Sequence, residues 1–202
     1  GVSRITVRRA VQNLVRRGLV EIQRGRGTFV ASRKITQELT QLSGFVGDMQ
    51  AIGRKATARL LDRRFVNASE TVARQLALPK GSRVLMIQRV RLGDGVPISF
   101  DETYLPLDLG KKVMRQNLAI EPIFSLLECK YKVPLVEAEY KMEAVAAEAE
   151  VASALRVNPG SPMFLIERTS YSTGARPVDY EKLYYRGDVI RFVTRLARKP
   201  RS

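Results

Sequence analysis

Two stretches of this chain echo each other at a fixed distance, and that repetition limits the folds open to it more than any other feature. Val72–Ser82 (VARQLALPKGS) matches Val151–Ser161 (VASALRVNPGS), Leu85–Arg89 (LMIQR) matches Phe164–Arg168 (FLIER), and Gly95–Ile98 (GVPI) matches Ala175–Val178 (ARPV). Tyr104 then matches Tyr184. The offset is 79 residues up to the Arg89/Arg168 pair and 80 from the Pro97/Pro177 pair onward, which places one inserted residue in the second hairpin loop. Each unit reads as helix, turn, strand, hairpin, strand. Two such units side by side predict an α+β fold, a mostly antiparallel sheet with helices on one face, to which the alternating runs 56–66 and 140–145 add strands. The seam between the units is a natural concave site, because two matching surfaces converge there without serving either core.

Composition narrows the function classes. With 202 residues and 45% hydrophobic content, the chain has room for two modest domains or one large one, with real cores. No apolar run approaches the roughly 18 residues of a membrane span, and the opening Gly1-Val2-Ser3-Arg4 is no signal peptide, so a cytoplasmic location without membrane contact is expected. A helix signal that begins almost at once, without an initiating Met, leads us to expect that the natural N-terminus is missing. A single cysteine, Cys129, excludes an intramolecular disulfide framework and a Cys-based zinc cluster. The lack of histidine removes the commonest general base and metal ligand, which disfavours catalysis although carboxylates and Lys can also perform it; no catalytic residue, metal or cofactor is expected. The net charge of +15 is concentrated at the ends: residues 1–34 hold nine Lys or Arg against Glu21 alone, and four more stand in the tail from Arg195. The first segment is therefore the candidate polyanion-binding surface.

Within that segment Ser3 suits an N-cap, and Val7, Ala10, Val11, Leu14 and Val15 recur at helical spacing up to Gly18, a left-handed C-cap residue. The opposite face carries Arg4, Ile5, Arg8, Arg9 and Gln12, and a helix of this kind fits the major groove. Leu19–Arg24 and Thr28–Ala31 flank Gly25-Arg26-Gly27 as a tight hairpin with a basic tip. Spacing alone allows two readings: a recognition helix with a wing, or a solvated basic helix beside an ordinary hairpin. The strings Gly1–Ala10 (GVSRITVRRA), Gly18-Leu19-Val20 and Gly25–Val30 (GRGTFV) closely resemble the end of a GntR-family DNA-binding domain. That resemblance implies DNA contacts from Ser3, Arg4, Thr6, Arg8, Arg9, Arg26 and Gly27.

In the larger part, Ile87, Arg89 and Arg91 share one strand face, so two guanidinium groups lie close enough to grip one anion. Asp101 lies on the returning strand, and Asp179 and Tyr185 share a face of the matching strand in the second unit. A solvated surface with Arg–Asp pairs, worth about 0–1 kcal/mol each, fits the same pattern. Leu42-Ser43-Gly44-Phe45, Arg89–Ile98 (RVRLGDGVPI), Thr103–Pro106 (TYLP) and Tyr185–Asp188 (YRGD) resemble the UTRA effector domain of the HutC subgroup within the GntR family. The resemblance implies a chorismate-lyase-like fold and a pocket in which Arg89 and Arg91 hold an anionic group while Asp101, Asp179 and Tyr185 bind the rest of the ligand. Where members that sense amino-sugar phosphates carry a Ser and a Tyr, this chain has Pro122 and Phe124; Gly44 replaces a further Ser, and Asp101 and Asp179 shorten a Glu pair. Fewer hydroxyl donors and a more apolar wall favour a small carboxylate over a sugar phosphate.

The expected organisation is residues 1–32 as the end of a winged helix-turn-helix, 33–38 as a linker, 39–195 as the effector domain and 196–202 as a basic tail. The expected function is that of a transcriptional regulator, a repressor, acting as a homodimer on double-stranded operator DNA under control of a small anionic metabolite. A lyase-like enzyme on the same fold and a structural DNA-binding protein are the competing readings. Catalysis would lack a histidine, and a structural role would leave the seam charges unexplained.

Overall fold

The computed structural model of the chain describes residues 1–16, 20–23, 25, 27–30, 34–39, 42 and 44–197. Gly18, Arg26, Ser43 and the basic tail beyond Ala197, all invoked above, lie outside the described residues. The chain begins with helix α1 (Arg4–Arg16), capped as expected: the Ser3 hydroxyl accepts the Thr6 amide N–H at 3.2 Å. Strands β1 (Val20–Gln23) and β2 (Gly27–Val30) then pair antiparallel, Val20 opposite Val30.

The remainder is built on the sequence repeat. Its elements are β3 (Ile35–Glu38), α2 (Gly44–Ala51), β4 (Ala56–Asn67), α3 (Glu70–Gln75), β5 (Arg83–Gly93), β6 (Val96–Pro106) and α4 (Leu107–Val113). There follow α5 (Ile123–Ser125) with a π-turn at Leu126–Lys130, β7 (Glu137–Ala146), α6 (Ala149–Leu155), β8 (Pro162–Ser172), β9 (Arg176–Arg186) and β10 (Ile190–Val193). Six strands form one antiparallel sheet in the order β4-β5-β6-β9-β8-β7. In the centre of that sheet Glu102 lies opposite Lys182, its own counterpart in the repeat, so a pseudo-two-fold axis passes between them. Both hairpins carry the same irregularity, which leaves Ile98 in one and Val178 in the other unpaired and fully buried. The β5–β6 turn has two left-handed residues, Asp94 and Gly95, as a two-residue hairpin requires, whereas the β8–β9 loop spends three, Thr173–Ala175. That is the inserted residue.

Alternation along the strands divides the core. On one face, α3 and α6 of the repeat pack over Val84, Tyr180, Val90 and Phe100. The expected layer of repeat helices is there. On the other face, α4 and α5 cover Leu85, Ile87 and Leu105, while α2 packs through Phe45 and Met49 against Ile166 and Leu183. These helices lie outside the repeat and add a second layer. The segment 33–38, expected as a linker, contains β3, which runs parallel to β10 and buries Ile35. The Lys34 ammonium adds a hydrogen bond to the Gly187 carbonyl at 2.7 Å. Among the described residues no helix is long and apolar enough to cross a membrane.

Candidate functional site

The face covered by α2, α4 and α5 is unusual in what it buries at its centre. Arg89, Arg91 and Arg168 are at most 8% exposed, and so are Asp101, Asp179 and Glu181. Isolated charges are expensive to bury, so their pairing decides what the site can do. Asp101 accepts hydrogen bonds from Arg91 Nε at 2.5 Å and from the Ser99 hydroxyl at 2.7 Å. Glu181 accepts from the Thr103 hydroxyl at 2.7 Å and forms an ion pair with Arg168. Asp179 accepts the Ser170 amide N–H at 3.1 Å, but its second oxygen has no partner among the described residues. Arg89, opposite Asp101 in the sheet, has none for any of its three guanidinium nitrogens.

These arrangements shift the charges in different directions. Burial, reinforced by the neighbouring Arg91, lowers the Arg89 pKa to about 9. Burial alone would also depress Arg168, but Glu181, then Asp179 and Tyr140, outweigh it and hold that guanidinium charged. The Glu181 carboxyl, which burial would raise, is pulled below the usual range by Arg168, then Arg91 and Arg89. Burial, with Glu181 close by, pushes Asp179 up to about 6. Its folded pKa thus exceeds the unfolded value of about 4, so its contribution to stability is full below pH ~4 and is lost as pH rises through ~6. Asp179→Asn is expected to remove that decline and to gain roughly 1–3 kcal/mol at pH 7, measurable by urea unfolding across pH 4–7.

A hollow of about 190 Å³ opens between α2 and the Pro122–Ser125 segment. Gly44, Phe45, Phe124, Arg91, Arg168 and Glu181 border it. Phe124 lies under the Arg168 guanidinium at 4.4 Å, and Phe45 lies 5.5 Å from that of Arg91, so each cation rests on an aromatic face. Gly44 starts α2 with φ +69°, and a Cβ there would stand 3.1 Å from the Phe124 ring. Gly44→Ala is expected to cost about 1 kcal/mol and to narrow the mouth, which a thermal unfolding scan and a ligand titration would read separately.

Of the residues singled out in the sequence, Arg91 and Phe124 border this hollow, and Asp101 lies behind Arg91 as its counter-charge. Arg89 sits beside it, against a neighbouring space. Tyr185 is buried against Phe192, ring centroids 5.2 Å apart, and Asp179 lies one row beyond Glu181; neither borders the hollow. Arg168 and Glu181 were not expected there. Arg168 is the repeat counterpart of Arg89, and that match was the available signal.

A second candidate surface is α1 with its hairpin. Ser3, Arg4, Thr6, Arg8, Arg9 and Gly27 are all exposed, whereas Arg26 lies outside the described residues. Arg4 and Arg8 stand one turn apart, which aligns two cations along one helix face. The Ser3 and Thr6 hydroxyls lie 2.9 Å apart, so both help to start the helix.

Comparison with known proteins agrees with both parts. The UTRA domain pattern matches residues 51–191, and that of "Bacterial regulatory proteins, gntR family" matches residues 1–30. The chain is 34% identical over 193 residues to the HTH-type transcriptional repressor NagR of Bacillus subtilis (strain 168), covering 96% of this chain and 79% of that protein. It is 28% identical over 187 residues to the histidine utilization repressor of Pseudomonas putida, covering 93% and 74%. Among solved structures, PhnF from Mycobacterium smegmatis superposes with a TM-score of 0.80 at 28% identity, covering 98% of this chain and 87% of that one.

Proposed function

We propose a function from one premise: this chain belongs to the gntR family of bacterial regulatory proteins that carry a UTRA domain. On that premise it is a DNA-binding transcriptional repressor and not an enzyme. Residues 1–32 read operator DNA, with Ser3, Arg4, Thr6, Arg8 and Arg9 of α1 in the major groove and the hairpin at Arg26 and Gly27 against the backbone or minor groove. Residues 33–38 connect them to an effector domain at 39–195, followed by a basic tail at 196–202. The protein works in the cytoplasm as a homodimer on a palindromic operator, and effector binding shifts the spacing of the two DNA-reading helices.

The effector is a small organic anion, a carboxylate in preference to a sugar phosphate. The observation that carries this is the guanidinium-lined hollow: Arg91 and Arg168 border it, each on an aromatic ring, and Arg89, whose guanidinium has no hydrogen-bond partner among the described residues, lies beside it. Its volume of about 190 Å³ lies below the roughly 300–1,000 Å³ of most small-molecule sites, which favours a small ligand. Pro122 and Phe124 add apolar wall where hydroxyl donors would suit a phosphate. Asp101, Asp179 and Tyr185 support the site from behind, as counter-charge and packing.

A thermal-shift comparison of small carboxylates with hexose phosphates tests the reading. A specific carboxylate at 100 times its Kd is expected to stabilise the fold by about 2.7 kcal/mol and to weaken operator binding. Stronger stabilisation by a hexose phosphate than by any carboxylate would overturn the ligand class.

A further inference from the structure

A second hollow, of about 250 Å³, adjoins the first. Val46, Arg91 and Pro122 border both and form the partition between them. On its far side the second hollow is bordered by Ala56, Thr57 and Ala58 of β4 and by the segment 118–121, with Lys55 at its edge. Arg89 belongs to this hollow and not to the first.

We infer that the second hollow holds an anionic group of its own, so that the effector is an elongated dianion, a dicarboxylate, with one end over Arg91 and Arg168 and the other against Arg89. The inference rests on the effector reading above and goes further by fixing the number of charges. Arg89 is 0% exposed, and none of its three nitrogens has a partner among the described residues. The two carboxylates that act on Arg89 are already hydrogen-bonded elsewhere, Asp101 to Arg91 and Ser99, Glu181 to Thr103 and Arg168, and the third buried acid, Asp179, acts on Arg168. A buried guanidinium beside a second guanidinium needs a counter-charge, and one that enters from solvent fits an adjoining space of this size. With a pKa of about 9, Arg89 remains a cation at neutral pH, so the need persists there. Lys55 is exposed at the edge and adds attraction for a ligand arriving from outside. Glu121 borders the same hollow, so the deciding charge is the buried one.

A single anion cannot satisfy both spaces, because Arg91 stands in the partition and its Nε is held by Asp101. A chain of methylenes passing Val46 and Pro122 would join two carboxylates across it. Such a ligand gains from both ends without paying the association cost twice, so it outbinds a monocarboxylate of equal length.

Isothermal titration with the dicarboxylates malonate to suberate, each beside the monocarboxylate of the same carbon number, tests this. At one bridging length the dicarboxylate is expected to bind at least about tenfold tighter than its partner, a ratio that Ala58→Leu, which fills the second hollow from β4, reduces to about one. Lys55→Gln, at an exposed position that does not threaten folding, is expected to lower the same ratio. If both ligand types bind equally well, the second anion site is refuted and the effector reading stands. A tenfold preference untouched by both variants also refutes it, since the second carboxylate then goes elsewhere. If no carboxylate binds, both readings fall together.

Discussion

Replacing Arg168 with Met is expected to cost about 3–5 kcal/mol of folding stability at neutral pH. Arg168 is 6% exposed, and its guanidinium pairs with Glu181, lies over Phe124 at 4.4 Å and donates to the Tyr140 hydroxyl at 3.3 Å. Met fills much of the volume, so the cost is chiefly that of leaving the Glu181 carboxylate buried without its main partner. The pH dependence separates this from a packing defect. In the parent protein the Glu181 pKa lies below its unfolded value, so the pair's contribution is present above that value and lost as pH falls through the folded one. Without Arg168, burial raises the Glu181 pKa instead, so the variant's deficit shrinks as the solution is acidified. The double change Arg168→Met with Glu181→Leu is expected to recover most of the loss at pH 7, because an apolar pair of similar size often matches a buried ion pair. Urea unfolding of the three proteins at pH 5 and 7 checks both statements, and a deficit equal at both values would show that lost packing dominates.

Arg89→Met is expected to act in the opposite direction, stabilising the unliganded fold by roughly 3–5 kcal/mol, in proportion to the pKa depression of Arg89. Among the described residues the buried Arg89 guanidinium has no hydrogen-bond partner, so an apolar side chain removes a desolvation cost and breaks no hydrogen bond. Its folded pKa, about 9, is below the unfolded value, so the penalty is full below pH 9 and fades as pH rises toward that unfolded value. The stabilisation is therefore flat from pH 6 to 8 and declines in alkali. The same variant is expected to lose the thermal response to dicarboxylates. Greater stability joined to a lost response is the signature of a charge retained for binding, and a variant less stable than its parent would refute that assignment.

The repeat made the central hairpins legible, because a unit found twice fixes its own boundaries: both turns and the inserted loop residue follow from the alignment, whereas the buried bulge residues Ile98 and Val178 emerge only in the strand register. The short wing was legible through Gly25 and Gly27, whose positive φ leaves few alternatives. β3 was not. Four residues, Ile-Thr-Gln-Glu, carry no period long enough to read, and the strand forms through pairing with β10, more than 150 residues away. The site was legible as an arginine-rich strand face, but not in how its charges pair. Alternation places Arg89, Arg91 and Asp101 on one surface equally well whichever arginine holds the acid, and only the side-chain geometry gives Asp101 to Arg91. For the same reason Tyr185 and Asp179, correctly placed by parity, fall outside the hollow: parity fixes a face and says nothing about distance along it.

The pseudo-two-fold axis has one more consequence. At four equivalent positions the first unit carries Arg89, Arg91, Ser99 and Asp101, and the second Arg168, Ser170, Asp179 and Glu181. One has two bases and an acid, the other one base and two acids, and all eight side chains are buried. The halves are thus duplicates in backbone and opposites in charge, like a key and its cast. A chain built from two copies of either half would keep every strand register and yet bury a net charge with nothing to answer it, so neither half can stand in for the other.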